Sequence, residues 1–146
     1  MSRLRPLPDA LASLLLLASL GACATSDGED PDDPEDQVAR GGRVFSAVCA
    51  ECHGASGQGT KDAPPLVGPG ALPRDPRPTQ ERDASFFTAF DVANFVIHNM
   101  PPFPDERERI PPADHWAVVA FALDANGVKL DEPLGPSNAD KIMLHK

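Results

Sequence analysis

Cys49-Ala50-Glu51-Cys52-His53 sets two thiols about one helical turn apart, with an imidazole directly after the second. Three chemistries use such a pattern. A redox dithiol opens a helix after a strand, but here a helical apolar pattern runs into the motif and no strand precedes it. A closed structural zinc site needs four ligands. His98 and His115 would have to complete it, and neither stands at a recognisable spacing from the thiols. The third chemistry is covalent attachment of haem. Two thiols add to the two vinyl groups along one side of the porphyrin, and the His after them is directed at the iron from one face. Motif and setting together favour this reading, with Cys49 and Cys52 forming the thioethers of one haem c and His53 as the proximal iron ligand.

Helices must position these groups. Val38, Gly42, Phe45 and Cys49 recur at helical spacing and share one face of a helix that leads into the motif. Gly41 and Gly42 each cost such a helix about 1 kcal/mol relative to Ala, so close approach of a second helix is expected there. Residues 54–78 are rich in Gly and Pro and read as loop. Apolar residues return in helical pattern over 84–98, with Phe87, Phe90, Asn94 and Ile97 on one side. Met100-Pro101-Pro102-Phe103-Pro104 stops that helix, because each Pro removes a donor and restricts the residue before it. A last helix is predicted from near Pro112, with Asp114 in its first turn, to Gly127 as the residue past its end. Its middle, 116–123, is apolar all round and must be buried. All seven Phe lie between Phe45 and Phe121, which marks the core. No alternating segment of useful length occurs, so the expected fold class is all-α. Residues 128–146 read as a less regular tail in which Ser137 caps one short turn.

The first residues read as a targeting segment. Arg3 and Arg5 precede an apolar run over 10–20, too short to span a bilayer, which takes about 20 apolar residues, and suited to a secretory signal. Leu20-Gly21-Ala22-Cys23 resembles a bacterial lipobox, which implies acylation of Cys23 and a lipid-anchored protein in the cell envelope. Ala24, where an Asp would favour inner-membrane retention, leans the expectation towards the outer membrane. Residues 23–36 then form an acidic stretch with Asp27, Glu29, Asp30, Asp32, Asp33, Glu35 and Asp36 and no base, read as a flexible tether. Most of the net charge of −9 resides there: from Gln37 onward 14 acids face 11 bases, a balance of −3. With no basic footprint, a nucleic-acid binder is excluded. The expected organisation is a lipoprotein signal over 1–22, the tether over 23–36, one domain over 37–127 and the tail over 128–146. Each of the three Cys has a use, and none is left for a disulfide.

Gly42-Arg43-Val44-Phe45-Ser46-Ala47-Val48-Cys49-Ala50-Glu51-Cys52-His53-Gly54 resembles the N-terminal helix and attachment site of class I c-type cytochromes, and the likeness extends over 42–123. That resemblance implies a cytochrome c fold, three main helices wrapped round one covalently attached haem. It implies that Gly42 and Phe45 cross the last helix near Phe121. It makes Met100, in Met100-Pro101, the sixth iron ligand, with His98 as the competitor. It makes the carbonyl of Pro65 the acceptor of the His53 ring N–H. The function implied is that of a single-electron carrier on the periplasmic side of a bacterial membrane, not an enzyme, meeting redox partner proteins in brief contacts. Two alternatives keep the haem: a cytochrome subunit docked to a larger oxidoreductase through the tail, and a haem protein with a labile sixth ligand.

Overall fold

Asp33 starts the first helix. Its side chain accepts from the Glu35 amide at 2.7 Å, Pro34 occupies the first turn, and Glu35 and Asp36 lie at the positive end of the helix dipole. The computed structural model describes residue 30, residues 33–76 and residues 85–145; the signal segment, Cys23 and most of the tether lie outside the described residues. Helix α1 (Pro34–Val44) thus begins four residues before Val38, because the end of the acidic run is also a capping sequence. It continues through a π-helical turn (Phe45–Cys49), closed by the Ala50 amide on the Phe45 carbonyl, into α2 (Ala50–His53). A π turn inserts an extra residue and so rotates the next turn of helix relative to the one before.

Helix α3 (Ala89–Asn99) opens on a capping box. Thr88 Oγ1 accepts from the Asp91 amide at 3.3 Å, and an Asp91 carboxylate oxygen accepts from the Thr88 amide at 2.8 Å. A short α4 (Pro104–Arg107), not expected from the pattern, comes after the proline-rich loop, and α5 (Pro112–Ala125) completes the set. Helix α5 ends as predicted. Gly127, at φ +81°, donates to the Asp124 carbonyl at 2.8 Å, and Val128 donates to the Leu123 carbonyl at 3.0 Å. Among the described residues there is no sheet, only one bridge between Thr88 and Met143, and the fold is all-α as the sequence pattern predicts. Among them too, no helix is long and apolar enough to cross a membrane.

The middle of α5, residues 116–123, is apolar all round because neighbours cover it on different sides. Phe45, 2% exposed, meets Phe121 with ring centroids 5.2 Å apart. A Cβ on Gly41 would strike the Ala117 carbonyl oxygen and sit 2.8 Å from the Phe121 Cβ, whereas one on Gly42 would meet Phe121 at 3.4 Å, close to ordinary contact. The glycine at the helix crossing is therefore Gly41, one residue before the Gly42 that the resemblance indicates. Arg40 and Asp114 pair across the same crossing at 2.6 Å. On another side of α5, Ala89, Val92 and Ala93 of α3 pack with Val119, Ala120 and Leu123.

Residues 128–145 belong to this core. Leu134, 3% exposed, and the fully buried Ala139 join the same cluster. Gln37 binds both backbone groups of Leu134, donating at 2.8 Å and accepting at 2.7 Å. The Ala89 amide donates to the Ile142 carbonyl, and the Leu144 amide to that of Phe87, each at 2.9 Å. The short turn expected at Ser137 is a 3₁₀ turn (Ala139–Lys141) opening at Asn138, whose side chain ties Pro133 to Gly135.

Candidate functional site

Cys49 is the last residue of the π turn, while Cys52 and His53 lie in α2. Both thiols are free. Burial, with Cys52 adding to it, pushes the Cys49 thiol up to about 11. Gly54, at φ +85°, ends the helix directly after His53, and the chain folds back over it. The Gly59 amide donates to the His53 carbonyl at 2.8 Å, and the Thr60 hydroxyl to the Cys52 carbonyl at 2.5 Å. Leu66 and Val67 both donate to the Gly57 carbonyl, at 2.8 and 3.0 Å. Asn126 ties this loop to the end of α5, donating to Leu66 and Ala122 and accepting from Gly68. Asn beside Gly127 reads as a helix end, but its partners 60 residues away leave no mark in the sequence.

These bonds bring the Pro64 carbonyl to 2.8 Å from His53 Nδ1. A carbonyl only accepts, so Nδ1 is the donor, and the tautomer this selects is the one that offers Nε2 to a metal. His53 is 9% exposed, and Nε2 has no hydrogen-bond partner among the described residues. Pro65 does not take the role expected of it. The turn closed on Gly57 presents the carbonyl before Pro65, and Pro65 instead packs on Gly59, where a Cβ would lie 2.7 Å from its nitrogen.

Met100 caps α3. Its amide donates to the Val96 carbonyl at 2.9 Å, and its backbone is extended (φ −122°, ψ 134°), as a residue before proline prefers. Its side chain is half-buried. His98 is exposed, with Nδ1 bonded to the Asn94 carbonyl of its own helix at 2.8 Å. His115 is buried in α5, and its Nε2 has no hydrogen-bond partner among the described residues. Among the described residues no three His, Cys, Asp or Glu side chains converge as a metal cage, which a zinc site would need. The donor set fits haem instead: two free thiols, an oriented imidazole and open apolar surface on Val48, Phe87, Phe90 and Phe103. Phe86 is not part of that surface; it lies in the core, edge-on to Phe95. Trp116 packs against the same core.

Residues 36–121 match the family described as cytochrome C oxidase, cbb3-type, subunit III. The chain is 31% identical, over 101 residues, to a thiosulfate dehydrogenase of Allochromatium vinosum; the match takes in 65% of this chain and 34% of that protein. Among solved structures it resembles the sulfane dehydrogenase SoxCD of Paracoccus pantotrophus, with a TM-score of 0.53 and 30% identity, over 73% of this chain and 52% of that one. The chain thus spans about a third of the curated relative and about half of the solved one. The family match, running from the first turn of α1 into α5 across the Cys49–His53 motif, shows that the chain belongs to the cbb3-type subunit III family of class I c-type cytochrome domains and carries electrons.

Proposed function

We propose that the protein is a monohaem c-type cytochrome, held by lipid on Cys23 at the periplasmic side of a bacterial membrane, that passes single electrons between transient protein partners. The observation that carries this reading is the hydrogen bond from His53 Nδ1 to the Pro64 carbonyl, in register with Cys49 and Cys52. It fixes the tautomer and makes Nε2 a better donor to iron. Haem c, when bound, supplies an iron that changes by one electron between its ferrous and ferric states. Cys49 and Cys52 would hold it through thioethers, and His53 and Met100 would ligate its iron. A soft thioether favours the ferrous state. Six ligands leave no position for a substrate, which supports a carrier over an enzyme. Contacts for such a role are small, and surface charge selects among partners.

Spectra of wild type and Met100→Ala test the reading. Ferric wild type is expected to show the weak red sulfur-to-iron charge-transfer band, and the variant to lose it. A band that persists in Met100→Ala assigns the sixth position to another residue. Ready binding of carbon monoxide by ferrous wild type at neutral pH would favour the labile-ligand alternative.

A second reading makes the same domain a subunit docked to a larger oxidoreductase. The similarity to two proteins named as dehydrogenases, which must hand on the electrons they remove, favours it. Purification of the native protein with its neighbours separates the two: a stable complex supports the subunit, an isolated cytochrome the free carrier.

A further inference from the structure

The loop after α3, Met100-Pro101-Pro102-Phe103-Pro104, has three prolines in five residues, so three of its nitrogens carry no proton. Such a loop cannot secure itself through backbone hydrogen bonds, and its carbonyls need donors from elsewhere. On the N-terminal side the Met100 amide is held by Val96. On the C-terminal side the support comes from Arg107, the last residue of α4, whose Nη1 donates to the Pro101 carbonyl at 2.9 Å. Helix α4 is itself built on the loop, with the Arg107 amide on the Phe103 carbonyl at 3.0 Å and the Glu108 amide on that of Pro104 at 2.9 Å. The guanidinium is half-buried at the edge of a cavity of about 310 Å³ that Ile97, Ile110, His115 and Trp116 also line. Among the described residues no carboxylate lies within ion-pairing distance of Arg107, and its side-chain hydrogen bond there is the one to the loop.

We propose that Arg107 is the positioning residue for the sixth ligand: its bond to the Pro101 carbonyl holds the loop that presents Met100 and so sets how rarely the thioether leaves the iron. This rests on Met100 as the ligand. Arg107 touches neither haem nor iron in this role; it acts through Pro101. A hydrogen bond from a charged donor is of the stronger kind. Losing it shifts the loop towards conformations in which Met100 is withdrawn. An exogenous ligand binds only that open population, and its apparent affinity varies with the size of the population.

The test is cyanide titration of the ferric, full-length holoprotein as wild type, Arg107→Gln, Arg107→Lys, Met100→Ala and Leu134→Ala. Arg107→Gln is expected to bind cyanide about tenfold more tightly than wild type, from loss of one charge-assisted hydrogen bond, and to show a weakened red band. Arg107→Lys should lie between the two, because an ammonium still donates but lacks the planar fork. Leu134→Ala loosens the core away from the loop and should leave cyanide affinity near that of wild type. The proposal is overturned if Arg107→Gln equals wild type while Met100→Ala binds cyanide far more tightly, or if Leu134→Ala raises affinity as much as Arg107→Gln. Should Arg107→Gln fail to assemble with haem, a wild-type affinity in Arg107→Lys overturns it instead. If Met100→Ala keeps both the red band and wild-type affinity, the assignment of Met100 falls.

Discussion

His115 is 6% exposed, and one of its ring nitrogens has no partner among the described residues. Burial pushes its pKa below the ordinary 6.5 and Arg107 pushes the same way, while the Pro111 carbonyl and Asp114 pull against them. The folded protein therefore takes up this proton less readily than the unfolded chain. Stability from this source is complete above the unfolded pKa and is lost as pH falls through it towards the folded value. Melting temperatures at about pH 7.5 and about pH 5.5 should show wild type losing stability in acid, and His115→Gln losing less over the same interval. An identical loss in both would assign the dependence to other groups. At this scale the motif of Cys49, Cys52 and His53 was legible because its spacing is local and is read directly along the chain. Pro64 was not, because which carbonyl meets Nδ1 depends on the hydrogen bonds of Gly57 and Gly59 within a loop.

Between elements, the crossing of α1 and α5 turns on one glycine. Gly41 faces backbone of Ala117 that cannot move without moving α5, whereas Gly42 faces the ring of Phe121. Gly41→Ala should lower stability by about 1–3 kcal/mol through overpacking. Gly42→Ala should change it little or raise it by up to about 1 kcal/mol, the helix-propensity gain of Ala over Gly. Urea unfolding midpoints at unchanged slope measure both, and equal effects would remove the distinction. The need for close approach was readable from two costly glycines in a helix; which one makes it was not, since a rotation of the helix about its axis decides that. The π turn at Phe45–Cys49 is likewise silent in the sequence; it begins at the residue whose ring packs on Phe121 of α5. The end of α5 was legible because Gly127 carries a backbone conformation that other residues rarely adopt.

In the whole molecule, residues 128–145 close the core that α3 and α5 leave open, through Leu134, Ala139 and the backbone bonds to Gln37, Phe87 and Ala89. A chain ending at Gly127 would expose that face. The docking role considered for the tail must therefore use its outer surface, while its inner surface is structural. Cys23, outside the described residues, bears on where the protein works. Cys23→Ser is expected to shift the protein from the membrane fraction to the soluble one, because acyl chains contribute about 0.8 kcal/mol per buried CH₂. Retention in the membrane fraction would end the lipid-anchor proposal.

The sequence by itself determined the features marked by local spacing or by a special backbone conformation: the motif of Cys49, Cys52 and His53, the proline stop after Met100, and Gly127. It also determined an all-α fold, since apolar residues recur at helical spacing and nowhere alternate. Tertiary structure alone decided the Pro64 acceptor, the Gly41 crossing, the Asn126 and Gln37 ties, the Arg107 support of the methionine loop and the place of the tail. Each of these joins a side chain or carbonyl to a partner chosen by how the elements fold back on one another. Local pattern cannot encode that, because the partner's position is fixed only once the core has packed.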